Sequence, residues 1–133
     1  MFEALFLLLL AGGPGDTPAC ESVPLVYLLA HPGSCDGEWV RVSGYLTYGF
    51  EDSTIWLSRE DAKYGRADNS LWLTFSRGEF EISPPLKTGK GLDSISGRYV
   101  YVSGRIDRSV HGHLGARAGA ITVEEVLVLK KLR

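Results

Sequence analysis

The sequence predicts an all-β fold, a small five-stranded barrel of the OB type with one short helix on its N-terminal side. Three observations lead there. The stretch "GEWVRVSGYL" from Gly37 returns as "GRYVYVSGRI" from Gly97. Each copy alternates apolar and polar residues with a period of two, the pattern of a half-buried strand, and each sets a glycine in the apolar register. Between the copies, "TIWLS" (54–58) is echoed by "SLWLT" (70–74). Composition agrees: 16 Gly and 6 Pro among 133 residues supply turns, and Val, Ile, Tyr and Trp favour strands.

At 133 residues the chain is one domain, expected over residues 20–133 behind a leader at 1–19. "LFLLLLAGG" (5–13) is too short to span a bilayer as a helix and fits the apolar core of an export signal, with small residues before Cys20 as a cutting site. Glu3 and the lack of Lys or Arg in the leader count against it. A different start or a buried N-terminal segment are the alternatives. The net charge of -2 becomes zero without Glu3 and Asp16, so no global attraction to nucleic acid or anionic lipid is expected.

Cys20 and Cys35 are the two cysteines. In an oxidising compartment they would form a disulfide; the alternatives are a lipid on Cys20, which alone would bring the chain to a membrane, and two inert thiols. "SVPLVYLLAHPG" predicts a helix from Ser22 to His31, capped by Ser22, with Pro24 in its first turn and Leu25, Leu28 and Leu29 on one face. A ten-residue helix would be roughly 15 Å long, so the arm carrying Cys20 must fold back along it for the sulfurs to meet.

The first strand places Val40, Val42, Gly44 and Leu46 inward, and Arg41, Ser43 and Tyr45 outward. The fourth places Val100, Val102, Gly104 and Ile106 inward. A glycine inside a strand marks a bulge or bend, and two strands bent alike suit a closed barrel in which they lie side by side. The second and third strands put Trp56 and Trp72 opposite Ile55, Leu57, Leu71 and Leu73. Between them "SREDAKYG" predicts a helical turn capped by Ser58, with Asp61 at the capping-box position and Gly65 at its end. Residues 76–96 show no steady period and predict a long loop; "TGKG" in it lacks the spacing of a phosphate loop. The fifth strand is expected over Ala120–Leu129, with Glu124 and Glu125 interrupting the alternation.

These motifs together, "LVYLLAHPGSCDGEWVRVSGYL", "IWLSREDAKYG", "LWL", "GRYVYVSGRID" and "HGHLGARAGAI", resemble a family of small uncharacterised bacterial proteins. The resemblance covers most of Leu25–Val123. It implies an OB-type barrel, often behind an export or lipoprotein signal, and no particular activity. Cys35 stands where the family carries an aromatic residue. A helix between the third and fourth strands, present in a standard OB barrel, is not evident.

Three groups could carry function. Trp56 and Trp72, flanked by Arg59 and Arg77, could be an aromatic platform for bases or sugars, or could simply be packed under the Ser22–His31 helix or the 76–96 loop. His111 and His113 in the loop 107–119, with Asp107 near, have the spacing of a metal pair but lack a firm third ligand; hydrogen bonding within a glycine-rich loop is the commoner explanation of such a pair. Charge is uneven: residues 97–133, with Arg117, balance at +4 and residues 20–96 at -4, so one basic side could meet an anion or a complementary partner. No Ser, Cys or Thr lies in a nucleophile motif. The expectation is a non-enzymatic, exported module, periplasmic or secreted, that binds a protein or a small ligand without a cofactor. The alternatives are an OB-type single-stranded nucleic-acid binder and a metal-binding protein using the His-x-His loop.

Overall fold

The computed structural model describes residues 20–112, 115 and 117–132. The expected leader and His113 lie outside the described residues. The elements run α1 (Leu25–Ala30), β1 (Trp39–Gly49), β2 (Asp52–Trp56), α2 (Arg59–Lys63), β3 (Ser70–Thr74), β4 (Glu81–Ser83), β5 (Arg98–Asp107) and β6 (Ala120–Val128).

Five strands close into a ring in the order β1-β2-β3-β6-β5 and back to β1. The β3–β6 pair is parallel and the other four are antiparallel. This is the barrel-like closure that the strand pattern predicts.

The duplicated motif explains how it closes. The two copies pair with each other, antiparallel and centred on Val42 opposite Val102. Gly44 therefore faces Val100, and Gly104 faces Val40. All four valines are buried. A Cβ on Gly44 would lie 2.6 Å from both Ile55 Cγ1 and the Trp56 carbonyl oxygen; one on Gly104 would lie 2.0 Å from the Thr122 carbonyl oxygen. The missing side chains let β2 close onto β1 and β6 onto β5, so each long strand serves two walls of the barrel.

Glu124 and Glu125 interrupt the alternation because the β5–β6 ladder is bulged there. Gly104 pairs with Val123 and Ser103 with Glu125, which leaves Glu124 as the extra residue. Val123 and Val126 both stay inside as a result. Arg41 bonds to Ser103 Oγ (3.0 Å) and Glu125 Oε1 (3.1 Å) across the outer face.

Residues 76–96 are not the plain loop the sequence predicts. β4 pairs in parallel with β6 at Glu125–Leu127, on the same β6 edge that β3 uses at Ala120–Thr122. A 3-10 turn at Leu92–Ile95 follows, with Ile95 buried. Phe80, Ile82, Leu86 and Leu92 pack against the core. A three-residue strand on a sheet edge is too short to show a period. The second strand is also displaced by two residues from the expected 54–58: it runs Asp52–Trp56, and Leu57 is about one third exposed to solvent instead of facing in with Ile55.

At the other end of the ring sits α1. It has six residues, not ten. Ser22 does not cap it; residues 21–22 instead run along the edge of β1, where the Glu21 carbonyl accepts the Arg41 N–H at 2.8 Å. The Glu21 carbonyl is thus satisfied in extended chain, and the helix starts after Pro24. The shorter helix removes the long return path for the arm. Cys20 and Cys35 form a disulfide with their Cα atoms 5.8 Å apart. Leu25 and Leu28 seal this end of the core; full burial of such a leucine contributes about 1.5–3 kcal/mol.

Arg108, at the end of β5, ties the assembly. Its guanidinium donates to the Leu28 and Ser34 carbonyls at 2.9 and 3.1 Å and reaches His31 and Ala118 carbonyls at 3.3 and 3.4 Å. A cation there also complements the negative end of α1. Burial pulls the Arg108 pKa below its ordinary value, and Asp36 opposes that pull.

Candidate functional site

The two tryptophans lie on the outer face of β2 and β3, opposite the buried Ile55, Leu71 and Leu73, as the alternation requires. They do not form an open platform. The segment after β5 returns over them and lays Arg117 across both rings, its Cζ 5.1 Å from the centre of Trp56 and 5.9 Å from Trp72. Arg117 Nη2 donates to Thr54 Oγ1 (3.0 Å) and lies 3.9 Å from Asp52 Oδ1. Its Nε is buried with no hydrogen-bond partner among the described residues. Trp56 Nε1 donates to Thr47 Oγ1 at 2.8 Å. Gly112 presses so close to Trp72 that a Cβ would sit 2.4 Å from ring atom Cε3. The chain's own guanidinium thus occupies the place a guest would take.

His111 serves the same loop. Its Nδ1 donates to the Arg117 carbonyl (2.9 Å), while the Arg117 N–H donates to the His111 carbonyl (2.9 Å). The Asp107 carboxylate accepts from the Ser109 hydroxyl and N–H. Those two bonds, the hydroxyl first, hold its pKa below the ordinary value, with a smaller contribution from His111. Among the described residues no three His, Cys, Asp or Glu side chains are grouped so as to hold a metal ion; His113 is not one of the described residues.

Among the described residues the cation stacked on the tryptophans is Arg117, not Arg59 or Arg77. Arg77 is exposed after β3, and Arg59 belongs to a different surface. There, a groove of about 690 Å³ is lined by Tyr45, Tyr99, Arg59, Arg98, Lys130 and Lys131. A second cavity of about 390 Å³, holding Lys87 and Lys90, shares Arg98 and Lys130 with it. Among the described residues no carboxylate lines either one.

Local folding explains how these cations meet. Tyr45 and Tyr99 are cross-strand partners in the duplicated motif and touch edge to face, with centroids 5.2 Å apart. Tyr99 Oη accepts the Arg59 N–H (3.1 Å), which fixes the start of α2 beside the ring. The Tyr99 carbonyl accepts the Leu129 N–H (2.9 Å) and draws Lys130 and Lys131 against the start of β5. A turn closed by Lys90 N–H to the Lys87 carbonyl (2.9 Å) brings the remaining two lysines.

The six cations of this surface have no ion-pair partner among the described residues, whereas Arg41, Arg66 and Arg117 each have one. Sequence reasoning found the excess of base in residues 97–133 but not this groove. Lys87 and Lys90 come from the segment with no readable period, and Tyr45 and Tyr99 read as ordinary outward residues.

Comparison with models of protein families, with curated proteins and with solved structures gave no match.

Proposed function

We propose that this chain is a non-enzymatic, exported binding module of OB type, and that its groove over β1 and β5 holds an anionic partner. The observation that carries this reading is a surface over which Arg59, Lys87, Lys90, Arg98, Lys130 and Lys131 are gathered with no carboxylate in its lining among the described residues. Like charges gathered on one concave face repel one another, and an anion bound there relieves that repulsion. The Cys20–Cys35 disulfide supports an oxidising compartment, since such bridges are rare in the reducing cytosol. The resemblance to small exported bacterial OB-type proteins points the same way. The tryptophan face gives less support to a partner, because Arg117 fills it.

Two measurements test the proposal. Fractionation of cells expressing the full-length chain should recover it outside the cytoplasm, and recovery in the cytoplasm alone would remove the export claim. A panel of polyanions titrated into the protein at low salt should show binding that weakens as salt screens the charges. Silence across the whole panel would remove the anion claim.

A further inference from the structure

We infer that the groove takes a linear anionic glycan, a chain of sugar rings bearing carboxylate or sulfate groups. This rests on the reading of the groove as an anion site and narrows it to one ligand class. Charge is the first argument. A compact anion calls for donors converging on one point, but these cations are spread over two cavities whose walls share Arg98 and Lys130. Lys87 and Lys90 stand in one, Arg59 and Lys131 in the other, and Arg98 and Lys130 at the junction. That spacing matches an extended chain with charge repeated along it. Four of the six are lysines, point charges that meet a carboxylate or sulfate without a demand for bidentate geometry.

The aromatic pair decides among chains. Tyr99 is 45% exposed, and its ring is held by the Arg59 N–H on its hydroxyl and by Tyr45 edge to face. It therefore offers one fixed ring, whose negative face suits the C–H groups of a sugar. Single-stranded nucleic acid is gripped by several rings on which successive bases stack, and the groove has no such row. An acidic peptide would gain most from adding a strand to an open edge, but both edges of β5 are already paired, to β1 and β6.

The test uses the full chain, far-UV circular dichroism of every variant, and calorimetric titration with five probes. These are a polygalacturonate octasaccharide, a heparin octasaccharide, linear inorganic polyphosphate, an oligothymidylate of eight nucleotides, and vesicles of mixed phosphatidylcholine and phosphatidylglycerol. Both glycans should bind. Arg98→Glu with Lys130→Glu, two exposed changes at the junction, should weaken them by about tenfold or more. Tyr99→Ala should weaken the glycans by about threefold to tenfold and leave polyphosphate within about twofold, while Tyr99→Phe should keep glycan binding. Glycan silence with binding of polyphosphate, oligothymidylate or vesicles would overturn the inference and leave the anion site standing. An equal loss of glycan and polyphosphate in Tyr99→Ala would also overturn it, because the ring would then have no role specific to sugar. No binding of any probe would overturn the anion site itself.

Discussion

Replacing Gly104 with alanine should damage the fold more than any other one-carbon change in the barrel. Alanine normally gains from a glycine site of ordinary backbone, about 0.4–1 kcal/mol, by restricting the unfolded chain. Gly104 has no positive φ, so that gain applies. Against it, the new Cβ would sit 2.0 Å from the Thr122 carbonyl oxygen and 3.0 Å from Ile121 Cγ2. Ordinary contact begins at 3.4 Å, so β6 must retreat by more than 1 Å where it pairs with β5. The obstacle is backbone and no rotamer change relieves it. Overpacking of a filled core costs typically about 1–3 kcal/mol, and the backbone clash places Gly104→Ala at the upper end, about 3 kcal/mol. Gly44→Ala meets the Trp56 carbonyl and Ile55 at 2.6 Å and should cost about 1–2 kcal/mol. Gly49, with nothing within 4 Å of its Cβ position, is the control, and its alanine variant should be neutral or slightly more stable. Urea unfolding of the oxidised protein, followed by tryptophan fluorescence, ranks the three by midpoint. At this size 1 kcal/mol moves the melting temperature by about 4 °C. A Gly104→Ala protein as stable as the parent would refute the view that the duplicated glycine exists to let the neighbouring strand close.

Four further outcomes follow from the same structure. Cys20→Ser with Cys35→Ser, or reduction, should cost about 3 kcal/mol in the chain-entropy account of a bridge spanning 15 residues, read as a lower urea midpoint; the parent's intact mass should lack two hydrogens relative to the reduced chain. Ser58→Ala should cost about 1 kcal/mol, because the hydroxyl both accepts the Asp61 N–H and donates to the Asp61 carboxylate. Asp61 is held below its ordinary pKa by Asn69 and then Ser58, so its contribution is complete above the unfolded value of about 3.9 and is lost as pH falls through the lower folded value; Asp61→Asn should flatten that acid limb of the stability profile and leave the part due to Asp107. Arg117→Ala should cost about 1–3 kcal/mol by removing a guanidinium from two rings and from Thr54, and tryptophan emission should shift to the red as Trp56, now 5% exposed, meets water.

Period and glycine placement were enough to predict five of the six strands, the inward set Val40, Val42, Leu46, Val100, Val102 and Ile106, and the pairing of the two copies. Alternation records which face is buried, and burial is a local demand on each strand. Capping of α2 by Ser58 was equally legible, since its partners lie within a few residues. What tertiary structure alone decided were the matters settled by distant contacts. The helix α1 shortened because residues 21–22 found a partner edge on β1. β4 exists because β6 has a free edge at Glu125–Leu127, not because Glu81–Ser83 prefer to be extended. Arg117 rather than Arg59 or Arg77 covers the tryptophans because the chain after β5 returns across β2 and β3. The basic groove draws on five separate segments, from Tyr45 to Lys131. No local pattern marks them, because only the closed barrel brings their charges within one another's field.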